Sequence, residues 1–391
     1  MRVAYVCADP GVPVFGSKGC SVHVREVIAG LLEQGADVTL FARNVDGEIP
    51  ERLKQIQVVP LPALPKSSDA GARELKALAG NADLLGMLRD RGPFDIVYER
   101  YSLWSTAAME HAYASGIPGL LEVNAPLIEE QMRYRTLVNI DAAEATARTV
   151  FRTASALLAV SSGVRDYLCT MPGTTGKVHL VPNGVDVDRF CPSVAPALGD
   201  SNVTTVGFLG GLKPWHGVEL LIQAFVGVSW QVPNIRLLIV GDGPQRALLQ
   251  SMAACHPACN IVFTSGIDPS QVPAYLASID IGVAPYPDLD GFYFSPLKVY
   301  EYMAMGMAVV ASNIGDMPCI IDSGVSGMLT APGDIADLQN ALLVLLSQPQ
   351  TRLSMGAAAR RQVSEKHTWT ATTRRILQIA EWSVVKAKVA I

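Results

Sequence analysis

Short, almost continuous apolar runs that close in glycine-bearing loops, each followed by an amphipathic helical pattern, constrain this chain more than any other feature. Val3 to Cys7 is such a run. A strand without polar alternation is one buried on both faces, as in a parallel sheet. Val24, Val27, Ile28, Leu31 and Leu32 then recur at helical spacing from a start near Ser21, and Gly35 ends that helix ahead of a second run, Val38 to Ala42. The alternation continues through Asp95 to Tyr98, Ile117 to Val123 and Ala156 to Val160, which predicts one layered α/β domain up to about residue 185. Between Asp186 and Asn202 it lapses into Cys191-Pro192-Ser193, Pro196 and Gly199-Asp200-Ser201, the composition of a linker. It then restarts with Val203 to Leu209, a helix carrying Leu220, Leu221, Ala224 and Phe225, and runs at Ile235 to Val240, Ile261 to Thr264, Ile279 to Ala284 and Ala308 to Ala311. Leu338, Leu342, Leu345 and Leu346 mark a helix after Pro332-Gly333-Asp334, and Thr370 to Val389 marks the last one. The fold class is therefore α/β, with two Rossmann-like, doubly wound domains facing across a cleft. Ligands of such domains sit at the carboxyl ends of the strands, so function belongs in the post-strand loops.

Composition narrows what those loops do. A length of 391 residues is ample for two cores. Acidic residues outnumber basic ones, 36 to 31, so the footprint of a dedicated nucleic-acid binder is missing and any basic site is local. No apolar run is long enough to span a bilayer. The first apolar stretch stops at Asp9-Pro10-Gly11, too short for a secretory signal. Seven scattered cysteines, an odd number, read as free thiols of a reducing compartment, so a cytoplasmic address is expected. Cys255-His256-Pro257-Ala258-Cys259 is the one cluster; without a second ligand pair nearby it reads as a proline-broken loop, and no metal site is expected. The helical stretch Leu75 to Leu88 reads as packed on the core, with a peripheral membrane contact as the other reading.

Three loops carry candidate chemistry. In the first, Asp9 to Ser21, Gly16, Ser17, Lys18 and Gly19 lead into a helix whose free N–H groups form an anion site, although a plain strand-to-helix turn also uses glycines. The second, Phe208 to Gly217, holds Gly210, Gly211, Lys213 and His216 where a cation could meet a diphosphate; an ordinary surface lysine and a helix-start histidine are the alternative. In the third, Ser295-Pro296 is a helix-start signal. The N–H groups of Leu297, Lys298 and Val299 then point at an anion, and Glu301, one turn later, could accept both hydroxyls of a ribose. Gly241 and Gly243, with Ser265 and Ile267 after the 261–264 run, are further donor-side candidates.

In order along the chain, Val181-Pro182-Asn183-Gly184-Val185-Asp186 with Phe190, Phe208 to Gly217, Val240-Gly241-Asp242-Gly243-Pro244, Ser295 to Gly306 and Val309-Val310-Ala311-Ser312 resemble the retaining glycosyltransferases of family 4, which have the GT-B fold. The resemblance covers nearly the whole chain. It implies an acceptor-side domain at 1–190, a nucleotide-sugar donor domain at 191–368, and a terminal helix at 369–391 that returns to the first domain. It also implies a hydroxyl acceptor, whether small molecule, glycan or lipid-linked, and a monomer or homodimer. The family's usual Arg and Lys of the first phosphate loop fall at Gly211 and His216 here, and the first Glu of its paired motif falls at Tyr293, eight before Glu301. Lys213 and Lys298 restore the charge in a sub-group marked by Ser295-Pro296-Leu297-Lys298.

On this resemblance Lys213, His216, Lys298 and Glu301 are the expected catalytic residues, stabilising a departing diphosphate by charge and helix N-termini. Attack on the front face, with the leaving phosphate taking the acceptor's proton, needs no cofactor and no metal. Asp288-x-Asp290 lies in a Pro/Gly loop and reads as turn chemistry. Glu122 and Asn124 end a buried strand where the family often places a histidine that touches the sugar, and His23 follows the first loop; these are the acceptor-side candidates. Tyr98-Glu99-Arg100-Tyr101 could line the acceptor pocket or hold an exposed ion pair. A sugar-nucleotide epimerase of the same architecture and a non-catalytic nucleotide-sugar binder are the competing readings. A dehydrogenase is disfavoured by the missing G-x-G-x-x-G.

Overall fold

The computed structural model describes residues 1–64, 69–199 and 202–389, in two compact units. Unit 1 comprises 1–183, 293–295 and 369–391; unit 2 comprises 184–292 and 296–368. Asp200 and Ser201 of the expected linker lie outside the described residues.

Unit 1 runs β1 (Arg2–Cys7), α1 (Gly19–Glu33), β2 (Asp37–Ala42), β3 (Gln57–Pro60), α2 (Ala70–Ala79), α3 (Asn81–Arg91), β4 (Ile96–Arg100), α4 (Ala107–Ser115), β5 (Gly119–Val123), α5 (Leu127–Tyr134), α6 (Ile140–Thr153), β6 (Ala156–Ala159), α7 (Ser162–Thr170) and β7 (Val178–Leu180). Its seven-stranded sheet has the order β3-β2-β1-β4-β5-β6-β7, every pairing parallel. β1 is buried almost throughout, as its unbroken apolar run requires. β3 and β7 escape the sequence reading because each is an edge strand too short to carry a period.

Unit 2 repeats the plan with β8 (Thr204–Leu209), α8 (Val218–Ser229), β9 (Ile235–Val240), α9 (Arg246–Ala254), β10 (Ile261–Phe263), α10 (Val272–Leu276), β11 (Ile281–Ala284), α11 (Leu297–Ala304), β12 (Ala308–Ser312), α12 (Met317–Ile320), β13 (Met328–Thr330), α13 (Ile335–Ser347) and α14 (Pro349–Lys366). Its six parallel strands have the order β10-β9-β8-β11-β12-β13. The predicted helix of Leu338, Leu342, Leu345 and Leu346 is α13, which buries that stripe in the same core as Leu221, Ile222 and Phe225 of α8. Each such side chain contributes about 1.5–3 kcal/mol.

The last helix, α15 (Trp369–Val389), belongs to unit 1, where it packs on α1 and buries Ile376, Ile379 and Ala380. The 255–259 cluster is the turn between α9 and β10, and Cys255 is exposed. The stretch Leu75 to Leu88 is not one helix but two, broken at Gly80. Leu84 and Leu88 are core, whereas Leu75 is exposed, a correction to the packing expected of it. Among the described residues no helix is long and apolar enough to cross a membrane.

In both sheets the strand order reverses once, between β1 and β4 and between β8 and β11. The loops after these four strands diverge to opposite faces of the sheet and leave room for ligand. α14 braces α11, the helix that follows the loop after β11. Its Arg360 donates to the carbonyls of Ala304 at 2.7 Å, Phe190 at 2.7 Å and Val187 at 2.8 Å, which ties down the C-terminal end of α11. Gly356 makes this approach possible, because a Cβ there would lie 2.0 Å from the Gly306 carbonyl oxygen. Gly356→Ala is expected to cost about 1–3 kcal/mol through forced separation of α14 from α11. An unchanged thermal unfolding midpoint would show that the contact relaxes freely.

Candidate functional site

Beside the switch point of unit 2 the loop after β8 is stitched to the loop after β9. Gly210 N–H donates to the Val240 carbonyl at 2.9 Å and Leu212 N–H to that of Asp242 at 3.0 Å. Gly241 (φ 136°) is needed there, since a Cβ would lie 2.1 Å from the Gly210 oxygen. A Cβ at Gly243 would lie 2.6 Å from the Leu212 backbone nitrogen and oxygen. The turn bearing Ser265 and Ile267 is held by groups that the sequence did not single out. Thr264 Oγ1 accepts from Gly241 N–H at 3.1 Å, and Arg246 donates to the Thr264 carbonyl at 2.6 Å.

Lys298 is the unusual group. It lies in the first turn of α11 and is only 9% exposed. Its Nζ sits 4.0 Å from the centroid of the Phe208 ring and 5.7 Å from that of Tyr286, and has no hydrogen-bond partner among the described residues. Ring faces attract a cation but do not replace its lost hydration. Burial accordingly pulls the amine down to about 7, against the opposing pull of Glu301 one turn on. The N-terminal end of α11 follows Pro296, which offers no side-chain cap, so the N–H groups of Leu297 and Lys298 are open to an anion, whereas that of Val299, expected to join them, donates to the Pro296 carbonyl at 3.2 Å. Ser295 groups with unit 1, its carbonyl accepting from Asn183 Nδ2 at 3.3 Å. Lys213, before the short turn Pro214–His216, places its amine 5.5 Å from the Trp215 ring centroid.

His216 departs from expectation. Its Nδ1–H donates to the Gly211 carbonyl, which leaves Nε2 as an acceptor. Burial, with the charges of Lys298 and Lys213, lowers the imidazole to about 3. It is neutral and does not supply the cation expected at this place. The aromatic wall of Phe208 and Tyr286 that shapes the site was also missed, because both side chains have the pattern of ordinary core residues.

In unit 1 the first loop folds onto itself. Lys18 is exposed and donates to the Gly11 carbonyl at 3.2 Å, and Arg25 donates to the Val14 carbonyl at 3.1 Å and to that of Gly16. Ser17 and Gly19 are exposed at the start of α1, where Lys18 holds the cap position without a side-chain cap. The three acceptor-side candidates do converge. Glu122, 2% exposed, accepts from His23 Nε2 at 2.7 Å, Asn124 Nδ2 at 2.6 Å, Arg100 Nη1 at 3.1 Å and the Tyr98 hydroxyl. The Arg100 pair is therefore buried, which corrects the alternative of an exposed one, and Asn124 does more than turn the chain. Trp369 of α15 meets the His23 ring edge-on at 5.2 Å. Tyr293 also belongs to unit 1, its hydroxyl donating to Glu130 Oε2 at 2.9 Å.

Burial alone would raise the Glu122 carboxyl; the attraction and hydrogen bond of His23, with Arg100 and Tyr98, outweigh it and hold the group at about 2. A carboxyl lower in the folded than in the unfolded chain adds stability that is complete above the ordinary carboxylate pKa, about 4.3, and drains away as pH falls toward 2. Glu122→Gln is expected to lose about 3–5 kcal/mol at neutral pH, as removal of one partner of a buried ion pair does, and to flatten the acid limb of stability. An acid-unfolding curve that coincides with the wild type would contradict this.

Two family models match the chain, one described as Glycosyltransferase Family 4 over residues 17–189 and one as Glycosyl transferases group 1 over 203–348. The GDP-mannose-dependent alpha-(1-6)-phosphatidylinositol monomannoside mannosyltransferase of Mycolicibacterium smegmatis is 29% identical over 61% of this chain; the match spans 65% of that relative's length, and 57% for its Mycobacterium tuberculosis counterpart. The D-inositol 3-phosphate glycosyltransferase of Corynebacterium jeikeium is 25% identical over 97% of this chain and 96% of its own. Among solved structures, the sucrose-phosphate synthase of Thermosynechococcus elongatus superposes with a TM-score of 0.74 at 19% identity, covering 97% of this chain and 98% of its own. Anabaena Alr3699/HepE in complex with UDP and glucose does so with a TM-score of 0.72, also at 19% identity and with the same coverage. At these identities the superpositions speak for the GT-B fold, and the two family models, one on each sheet, give it a family 4 domain at 17–189 and a group 1 domain at 203–348: the chain is a glycosyltransferase of the GT-B type.

Proposed function

We propose that this chain transfers a glycosyl group from a nucleotide diphosphate sugar, with UDP or GDP as carrier, to a hydroxyl acceptor, with retention of configuration and no divalent ion. The observation that carries the reading is Lys298, a buried amine with no hydrogen-bond partner among the described residues, set beside the open N-terminal end of α11. A diphosphate supplies what both lack, acceptor oxygens and negative charge. The carriers are those named for relatives and neighbours, GDP-mannose for the mannosyltransferases and UDP for the Anabaena structure.

In this mechanism the C1–O bond to the diphosphate breaks as the acceptor oxygen approaches the same face of the sugar, and the acceptor's proton passes to the departing phosphate oxygen. Protonated Lys298, Lys213 and the α11 N–H groups stabilise the charge that develops on that phosphate. Neutral His216 offers Nε2 as an acceptor to a sugar hydroxyl, and Glu301 accepts from the ribose.

Lys298→Ala should lower turnover on the order of 100-fold, the effect of removing one preorganised charge-stabilising donor, with the unfolding midpoint nearly unchanged. Because the free amine titrates at about 7 and a bound diphosphate favours its charged form, donor affinity should decline as pH rises above 7, with proton uptake on binding. Calorimetry of a UDP-sugar in buffers of different ionisation enthalpy reads both quantities. Equal affinity at pH 7 and 9 would remove Lys298 from the donor site, and tight donor binding without turnover or hydrolysis would favour the non-catalytic binder. Turnover in excess chelator should equal that in its absence, and loss of activity restored by Mg²⁺ or Mn²⁺ would overturn the metal-free step.

A further inference from the structure

Unit 1 holds a cavity of 430 Å³ at the carboxyl ends of β1, β2 and β4, a volume suited to a small molecule. Its carboxylates are already committed. Asp9 accepts from Gly11 N–H at 2.7 Å, Glu130 from the Tyr293 hydroxyl, and Glu74 from the backbone N–H of Asn139 and its Nδ2, each at 2.8 Å. Two of its guanidinium groups, those of Arg43 and Arg135, are held differently. Arg43, directly after β2, is anchored by two backbone carbonyls, Nε to Ala8 at 3.1 Å and Nη1 to Pro62 at 2.5 Å. Among the described residues its Nη2 has no hydrogen bond and no carboxylate lies within 4.0 Å, Asp83 acting only from farther away. Gly80 leaves room for that nitrogen, since a Cβ would lie 3.0 Å from it. A half-buried guanidinium oriented by carbonyls and left without an anion is a costly arrangement that an anion completes. Arg135, exposed on the rim, makes only a 3.5 Å contact with Gln131 Oε1. Trp104 and Leu103 supply an apolar wall, and the Ser102 hydroxyl has no hydrogen bond among the described residues.

We infer that this cavity binds a polyhydroxylated compound carrying a phosphate group, the phosphate on Arg43 and Arg135 and the ring against Trp104. Resting on the proposed transfer reaction, this ligand is the acceptor, presented either as a soluble sugar phosphate or as the headgroup of a phospholipid.

Two arms on the full chain separate the sources. Calorimetry with glucose 6-phosphate, and with glucose as the neutral control, tests the soluble form. Sedimentation with phosphatidylcholine vesicles, with and without phosphatidylinositol, tests the lipid form. Binding should require glucose 6-phosphate rather than glucose in the first arm and phosphatidylinositol, whose phosphate bears a polyhydroxylated ring, in the second, and should weaken about tenfold or more, the loss of one charge-assisted hydrogen bond, in both Arg43→Met and Arg135→Ala. Arg135 is exposed and loses only its 3.5 Å contact with Gln131 on substitution, so it keeps the test informative if Arg43→Met fails to fold. No binding in either arm, or binding indifferent to Arg135→Ala, overturns the assignment. A UDP-sugar titrated in parallel keeps the two readings apart. Donor binding without phosphate-probe binding sinks the cavity assignment alone, whereas arginine-dependent probe binding without donor binding keeps the site and removes its role as acceptor.

Discussion

Every strand in each unit runs the same way, and most of what the molecule can do follows from that. A parallel sheet is satisfied only when helices cover both faces, so its strands are buried and featureless, and its polar variety is pushed into the loops at one edge. Where the strand order reverses, neighbouring loops part and backbone groups face open space. The glycine loops of unit 2, the open end of α11 and the cavity of unit 1 all occur at such reversals. The chemistry is thus a consequence of winding direction before it is a matter of individual residues.

The two units treat buried charge in opposite ways. In unit 1, Glu122 is surrounded by four donors, and its burial costs little because every lone pair is used. That network links β4, β5, α1 and, through Trp369, α15. In unit 2, Lys298 is buried against ring faces with nothing among the described residues to accept its protons, and its charge is held only weakly. A satisfied group is a structural device. An unsatisfied one is a place where a ligand adds binding energy, which is why the proposed donor site is read from Lys298 and not from the better-connected Glu122.

Much of the fold was legible. Apolar runs separated by helical periods specify β1, α1, β2 and the strands from β8 to β12, because each spacing has one geometry that buries it. The short edge strands β3, β7 and β13 and the long α14 were missed, the edges for want of length and α14 because its stripe is weak, with only Met355, Gly356, Ala359 and Val363 buried. At the site, sequence located the loops and the residues Lys298, Lys213, Glu301, His23, Glu122 and Asn124. It had no means of finding that His216 gives its Nδ1 proton to a carbonyl, that Arg100 turns inward to Glu122, or that Arg43 is held by carbonyls from distant segments.

What the sequence alone determined is the winding: two parallel α/β units, with glycine and helix-start signals naming the loops that matter, because periodicity and backbone freedom are local properties. Tertiary structure decided the charge states and the partners. Whether a lysine is a solvated cation or a half-titrated amine, and whether a histidine is a charge or a neutral acceptor, depends on which residues from other strands desolvate it. Those neighbours, Phe208 and Tyr286 around Lys298 or Gly211 beneath His216, are fixed only when the sheet has closed around them.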